Sequence, residues 1–225
     1  MSHRPSRVLL SWSSGKDSAW ALHVLRQAPS IEVVGLLTTF NESADRAAMH
    51  AVRRTVVEAQ AAAAGLPLWP VMIPSPCPNE VYEERMRAAM ARAREAGINS
   101  VAFGDLFLED VREYRESRMA GTGIVPLFPL WGRPTPALAR EMIQAGLKAR
   151  ITCVDPRKLD RSFAGREFDA ALLDGLPEDV DPCAERGEFH TCCYAGPMFD
   201  RALALTSGEV VERDGFVFAD VTLGR

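Results

Sequence analysis

An apolar run, Val8-Leu9-Leu10, passes through Ser11-Trp12 into Ser13-Ser14-Gly15-Lys16-Asp17-Ser18, and a helical stretch over residues 19–28 follows at once. So short a joint between strand and helix leaves few architectures open. The strand must lie inside a sheet, and the helix must pack back over it. A glycine-bearing turn of this kind points backbone N–H groups at whatever sits above the strand end, where the helix dipole also favours an anion. Lys16 adds a mobile positive charge, and Ser13, Ser14 and Ser18 add hydroxyl donors. The expected ligand is a phosphate. Lys16 stands out further because, of 26 basic residues, only Lys16, Lys148 and Lys158 are lysine.

The same alternation continues along the chain. Residues 31–40 read as a strand ending in Thr38-Thr39, residues 47–64 as a helix closed by Gly65, and residues 68–73 as a third strand. Asn79 reads as the N-cap of a helix ending at Gly97. Residues 100–103 form a fourth strand that stops at Gly104-Asp105, and a helix covers 109–120. Thr135-Pro136 opens another helix, stopped by Gly146, and residues 149–154 are a fifth apolar strand. Strands alternating with helices predict an α/β fold with a doubly wound parallel sheet, in which ligands bind at the carboxyl ends of strands. Ser13, Thr38-Thr39 and Gly104-Asp105 therefore converge on one site.

After Asp155 the style changes. A helix over 161–173, interrupted near Gly165, precedes an acidic loop at 177–187. Short strands follow at 202–205, 210–211 and 216–221, with turns at Ser207-Gly208 and Asp214-Gly215. This divides the chain into a nucleotide-binding domain, 1–155, and a smaller C-terminal α+β domain, 156–225.

Composition removes several classes. A net charge of −4 argues against non-specific nucleic-acid binding. No apolar run reaches the roughly 18 residues of a membrane span. Residues 1–7 carry charge and enter a strand directly, unlike a signal peptide, so a cytoplasmic location is expected. The five cysteines, Cys77, Cys153, Cys183, Cys192 and Cys193, show no C-x-x-C spacing and read as reduced thiols. Cys183, His190, Cys192 and Cys193 invite a zinc reading, but adjacent cysteines rarely ligate one zinc with good geometry.

The loop is not the common P-loop, which needs glycine where Leu10 stands and Ser or Thr where Asp17 stands. It resembles instead the S-G-G-x-D-S loop of the PP-loop ATP pyrophosphatases. Three further segments narrow the resemblance: Phe103-Gly104-Asp105-Leu106-Phe107-Leu108-Glu109-Asp110, Pro126-Leu127-Phe128-Pro129-Leu130-Trp131-Gly132, and Gly187-Glu188-Phe189-His190-Thr191 followed by Gly196-Pro197-Met198-Phe199. In this order they are similar to the diphthine–ammonia ligase family, over nearly the whole chain. The resemblance implies a HUP-like, adenine-nucleotide α-hydrolase fold and an ATP-dependent amidation. A carboxylate attacks the α-phosphorus to give an acyl-adenylate and pyrophosphate, and ammonia then displaces AMP.

On that resemblance the catalytic candidates are Lys16, Asp17, Glu188 and His190. ATP and Mg²⁺ would meet Ser13, Ser14, Gly15, Lys16, Asp17, Ser18, Thr38, Thr39, Gly104 and Asp105, with Asp17 holding either Mg²⁺ or a loop N–H. Asp105 could hold metal, a ribose hydroxyl or ammonium, or simply cap a helix. Glu188, His190 and Thr191 form the acceptor side, where Glu188 or a His190 titrating near neutrality orients ammonia or takes its proton; His190 reads equally well as a satisfied polar residue between strands. Arg112, Arg115 and Arg118 share one helix face and could meet phosphate, an acidic substrate or solvent.

The expected partners are ammonia and a small-molecule or protein carboxylate. Nucleic acid and membrane are not expected, and a homo-oligomer stays open. Three positions depart from the family pattern: Ser14 and Ala184 stand where glycine is usual, and Cys192-Cys193-Tyr194-Ala195 replaces an apolar and aspartate run. An enzyme of tRNA thiolation and a non-catalytic ATP-binding sensor are the alternatives.

Overall fold

The structure, a computed structural model, describes residues 4–48 and 51–224. The start of the charged N-terminal stretch, residues 1–3, and residues 49–50 of the predicted 47–64 helix lie outside them.

The opening strand is β1 (Ser6–Ser11), and α1 (Lys16–Arg26) starts at the lysine itself. Then come β2 (Ile31–Asn41), β3 (Arg46–Ala47), α2 (Arg54–Ala63), β4 (Leu68–Ile73), α3 (Asn79–Glu95), β5 (Ser100–Ala102), α4 (Glu109–Met119), β6 (Val125–Leu127) and α5 (Thr135–Gln144). In the first sheet β1 pairs in parallel with β2 and with β5, β4 joins β2, and β6 joins β5, all parallel. Short β3 runs antiparallel to the end of β2. The chain therefore winds outward from β1 through β2 to β4, then crosses back to β5. The reversal falls between β1 and β5, the crevice where doubly wound sheets bind ligands.

The period of two in β1 explains why both faces are covered. Val8 and Leu10 enter the core that holds Ala19, Leu22 and Leu25 of α1, whereas Leu9 enters the opposite core with Met90 of α3 and Met119 of α4. Each of these β1 residues is fully buried, which contributes about 1.5–3 kcal/mol apiece.

The second sheet holds β7 (Lys148–Val154), β8 (Phe189–Ala195), β9 (Leu205–Arg213) and β10 (Phe216–Leu223) in the antiparallel order β8-β7-β10-β9. The apolar run at 149–154 thus belongs to this sheet and is not a fifth parallel strand. A fully buried strand reads alike in either kind of sheet, so its partners cannot be told from its own residues. Its core is continuous with that of α1, since Ile151, Val154, Phe189, Cys192 and Cys193 pack in one cluster with Leu10 and Trp12.

Other expectations shift locally. Among the described residues of the 47–64 stretch the helix covers Arg54–Ala63, and Ala47 is drawn into pairing with Phe40. The 161–173 stretch splits into a 3-10 turn (Arg161–Phe163) and α6 (Ala170–Asp174), separated by Gly165 at φ 83. Ser207-Gly208 lies inside β9 rather than in a turn; a Cβ on Gly208 would stand 3.0 Å from Cβ of Asp220, so the glycine permits a close cross-strand approach. Asp214-Gly215 is the hairpin turn, both residues having positive φ. Asn79 and Thr135 begin their helices one residue inside the cap and make no side-chain cap.

Candidate functional site

The loop after β1 is held from both lobes. Gln60 of α2 donates to the carbonyls of Ser14, at 3.0 Å, and Cys193, at 2.6 Å, and accepts from Trp12 Nε1 at 3.0 Å. The Cys193 N–H donates to the Ser14 carbonyl at 2.9 Å. Ser14 itself has φ 71, a left-handed conformation that costs a residue bearing a Cβ about 1 kcal/mol. That is the physical reason a glycine suits this position. Ser13 Oγ lies 3.2 Å from Ser18 Oγ and within 3.4 Å of the Gly15 N–H.

Lys16 does not reach into solvent. Its side chain is 3% exposed and its Nζ donates to Asp17 Oδ2 at 2.9 Å and to the Cys183 carbonyl of the acidic loop. The rings of Phe168 and Phe189 flank it at 5.5 and 5.6 Å. Burial opposes the ammonium charge, but Asp17 and, more weakly, Asp181 outweigh it and hold Lys16 above the ordinary lysine range. Its backbone N–H donates to Thr191 Oγ1 on β8 at 3.0 Å.

The acidic loop is tied to itself and to the β5 end. Glu188 is 3% exposed and accepts the Asp181 N–H on one carboxylate oxygen at 3.1 Å. Asp181 in turn accepts the Glu185 N–H at 2.8 Å. Glu185 accepts the N–H groups of Leu106, at 2.7 Å, and Phe107, at 3.4 Å. Burial pushes the Glu185 carboxyl up to about 7, helped by the nearby charges of Asp17 and Asp105. Sequence reasoning passed over Glu185. Its signal is a second acidic residue three before Glu188, in a loop already marked as acidic.

Ala184, between Cys183 and Glu185, has φ 57, so the second departure from a usual glycine also falls on left-handed backbone. Among the described residues the buried side-chain oxygens without a partner include Ser14 Oγ, Asp17 Oδ1 and Glu188 Oε2. These atoms belong to the loop and to the segment packed over it.

The other predicted residues fall less uniformly. Thr38 is buried, and its hydroxyl donates to the Trp12 carbonyl at 2.8 Å, so Thr39 is the more exposed of the pair. A Cβ on Gly104 would stand 3.0 Å from the backbone of Asp17 and Ser18, so its glycine permits the β5 end to touch the α1 start. Asp105 caps no helix, since the α4 N-cap is Leu108. It accepts instead from Nε and Nη2 of Arg115, at 2.5 and 3.1 Å.

Arg112 pairs with Glu116 and Arg118 with Glu83, so that helix face is occupied by ion pairs. His190 lies on β8, and burial, aided by Lys16 and Lys158, pushes it down to about 4 rather than leaving it near neutrality. Its imidazole is neutral at physiological pH. Burial also pushes the Cys192 thiol up to about 12 and Cys193 well above its usual range.

A lysine-bearing strand-to-helix loop at the switch point of a doubly wound sheet, closed over by a second lobe, defines a HUP-like α/β protein of the PP-loop, nucleotide-binding class. Within it the comparisons are specific. Residues 6–124 match the diphthamide synthase N-terminal domain and residues 134–220 the diphthamide synthase C-terminal domain. The chain belongs to the diphthamide synthase family of enzymes. It is 27% identical to the diphthine–ammonia ligase of Danio rerio, over 96% of this chain and 92% of that protein. It is 28% identical to the Mus musculus enzyme of the same name over 64% of this chain and 56% of that protein. The Schizosaccharomyces pombe enzyme is also 28% identical, over 51% of this chain and 20% of its own length.

Proposed function

We propose that this chain is an ATP-dependent amide ligase that activates a carboxylate as an acyl-adenylate and transfers it to ammonia, releasing AMP and pyrophosphate. The observation that carries the reading is the buried Lys16 ammonium at the loop, with Ser14 Oγ, Asp17 Oδ1 and Glu188 Oε2 unpartnered in the segments that meet there. Family membership supplies the reaction class. The named substrate of the relatives, diphthine, is one candidate acceptor, and another small-molecule or protein carboxylate is compatible with the same chemistry.

In this reading ATP lies over the β1–β5 crevice, its phosphates at the start of α1, on first-turn N–H groups other than the Lys16 N–H that Thr191 holds, and on the Lys16 ammonium. Cleavage at the α-phosphorus develops charge on the departing pyrophosphate, which a desolvated ammonium and backbone N–H groups stabilise. Asp17 offers one carboxylate oxygen for Mg²⁺, which commonly takes only one or two carboxylates and fills its sphere with phosphate and water. Thr39, Gly104 and Asp105 face the nucleoside side. Thr191 positions Lys16 through the bond to its N–H. Glu188 Oε2 accepts an N–H of ammonia and takes the proton released on amide formation. His190, held neutral, orients ammonia and stores no proton. Tightly protonated Cys192 and Cys193 are poor sulfur nucleophiles, which disfavours the thiolation alternative. Five unpaired thiols suit a cytoplasmic, reducing setting, and among the described residues no helix is long and apolar enough to cross a membrane.

The test is a product assay with ATP labelled at the α-phosphate, Mg²⁺ and ammonium, with and without a pool of cellular carboxylates. AMP and pyrophosphate that appear only with the pool are expected. ADP with phosphate, or tight ATP binding without turnover, would overturn the ligase reading.

A further inference from the structure

Helices α3 and α4 cover the Leu9 face of the first sheet, and they cover it thinly. Of their side chains only Met90 and Ala93 of α3 and Met119 of α4 are buried. Between the helices runs a cavity of about 850 Å³, lined along α3 over residues 82–95 and along the second half of α4. That length of α3 rises about 20 Å at 1.5 Å per residue. The shape is a long trough, suited to a chain segment more than to a compact metabolite.

Its floor is Met86, Met90, Met119 and Phe103. Unbranched methionines fit an irregular apolar partner without a fixed template. The charge along its walls is mostly positive, with Glu95 the one lining carboxylate that has no ion-pair partner among the described residues. Arg118 is paired with Glu83 and Arg115 with Asp105, but Arg87 and Arg94, both exposed on α3, have no carboxylate within ion-pair distance among the described residues. They stand two helical turns apart, about 10 Å along the groove. On a chain of net charge −4 this is a locally basic strip. At one end the groove shares Phe103 and Arg115 with the β5 end, where Gly104 touches the start of α1.

We propose that the α3–α4 groove docks an acidic, apolar segment of the protein that carries the carboxylate acceptor, with one end of that segment delivered to the crevice between β1 and β5. What the segment carries rests on the ligase reading; the docking itself rests on the groove. An amphipathic helix laid in the trough sets its apolar stripe on the methionine floor and its carboxylates against Arg87 and Arg94. Such a partner complements the net positive charge that Arg87 and Arg94, against Glu95 alone, leave along the groove.

The test titrates the full chain, without ATP or ammonium, into a fluorescein-labelled amphipathic peptide with a leucine stripe at helical spacing and glutamates on its flanks. Anisotropy is read at low salt, with a second peptide carrying lysines for the glutamates. The glutamate peptide is expected to bind at least tenfold more tightly than the lysine peptide. The Arg87→Glu/Arg94→Glu variant should weaken it at least tenfold and bind the lysine peptide in its place. Both arginines are exposed, and an unchanged melting profile verifies that the variant folds. Equal binding of the two peptides, no binding by the parent, or indifference to the charge reversal would each overturn the proposal. So would a dimer, seen by sedimentation, that the same variant dissolves, since a second copy would then own the groove. With ATP absent, failure here leaves the AMP assay untouched, and failure of that assay leaves peptide binding readable.

Discussion

The backbone N–H of Lys16 donates to Thr191 Oγ1 at 3.0 Å, joining residues 175 positions apart. Through this bond the second sheet fixes the first turn of the helix that carries the candidate catalytic lysine. Replacing Thr191 by valine keeps the shape and removes the acceptor, leaving a buried N–H unsatisfied. The expected loss is about 1–3 kcal/mol in urea unfolding, with weaker ATP binding, and Thr191→Ser should recover most of both. A valine variant as stable as its parent would show that the joint between the lobes lies elsewhere.

Ser14 and Ala184 share a conformation that their side chains resist, φ 71 and φ 57. A left-handed residue with a Cβ is held at a cost of about 1–2 kcal/mol, of which glycine recovers part after its own entropy loss. Ser14→Gly and Ala184→Gly are each expected to stabilise the chain by about 0.5–1 kcal/mol, raising Tm by a few degrees. The serine hydroxyl has no partner to lose, which favours the gain at that position. A fall in Tm for both variants would mean that the loop tension is imposed by the fold and not relieved by freeing the backbone.

The convergence of Ser13–Ser18 with Gly104-Asp105 was legible in the sequence because strand ends in an alternating pattern must meet on one edge. What could not be read was partnership. Arg115 and Asp105 are ten residues apart, and nothing in their spacing distinguishes a metal-binding aspartate from one paired with an arginine. Thr38 reads as available at a strand end, yet the pairing of β1 with β2 brings the Trp12 carbonyl to its hydroxyl. His190 reads in sequence equally as a base titrating near neutrality or as a satisfied polar residue between strands, and the difference depends on burial created by the packing of residues far apart in sequence. The run at 149–154 reads as a strand but not as a member of an antiparallel sheet, since its neighbours β8 and β10 come later in the chain. Local pattern gives the element; long-range contact gives the role.

Gly104 sits where a single methyl group would meet the backbone of Asp17 and Ser18 at 3.0 Å. Backbone cannot swing aside as a flexible side chain can, so Gly104→Ala must push the β5 end away from the α1 start. Overpacking of this kind costs about 1–3 kcal/mol. The sharper effect is expected on ATP affinity, measured by calorimetry, with at least a tenfold loss because both halves of the crevice move. Unchanged affinity would remove the β5 end from the nucleotide site.

Glu185 accepts the Leu106 and Phe107 N–H groups and is pushed by burial from 4.5 up to about 7. Because the folded value lies above the unfolded one, the unfolded chain releases this proton between those two values while the folded chain keeps it. The stability it contributes is complete below about pH 4.5 and is lost as pH rises through about 7. The full difference is worth about 3 kcal/mol, and solvent reaching a partly exposed carboxylate reduces that to about 1 kcal/mol. Glu185→Gln keeps an oxygen for both N–H groups and cannot ionise. It should therefore match its parent near about pH 4.5 and exceed it by about 1 kcal/mol at about pH 8, in urea unfolding at each pH. His190 acts with the opposite sign, since its folded value of about 4 makes stability fall as pH drops from 6.5. That contribution is common to both proteins and cancels in the difference. A pH-independent difference between the two proteins would show that the Glu185 carboxyl ionises as freely in the folded chain as in the unfolded one.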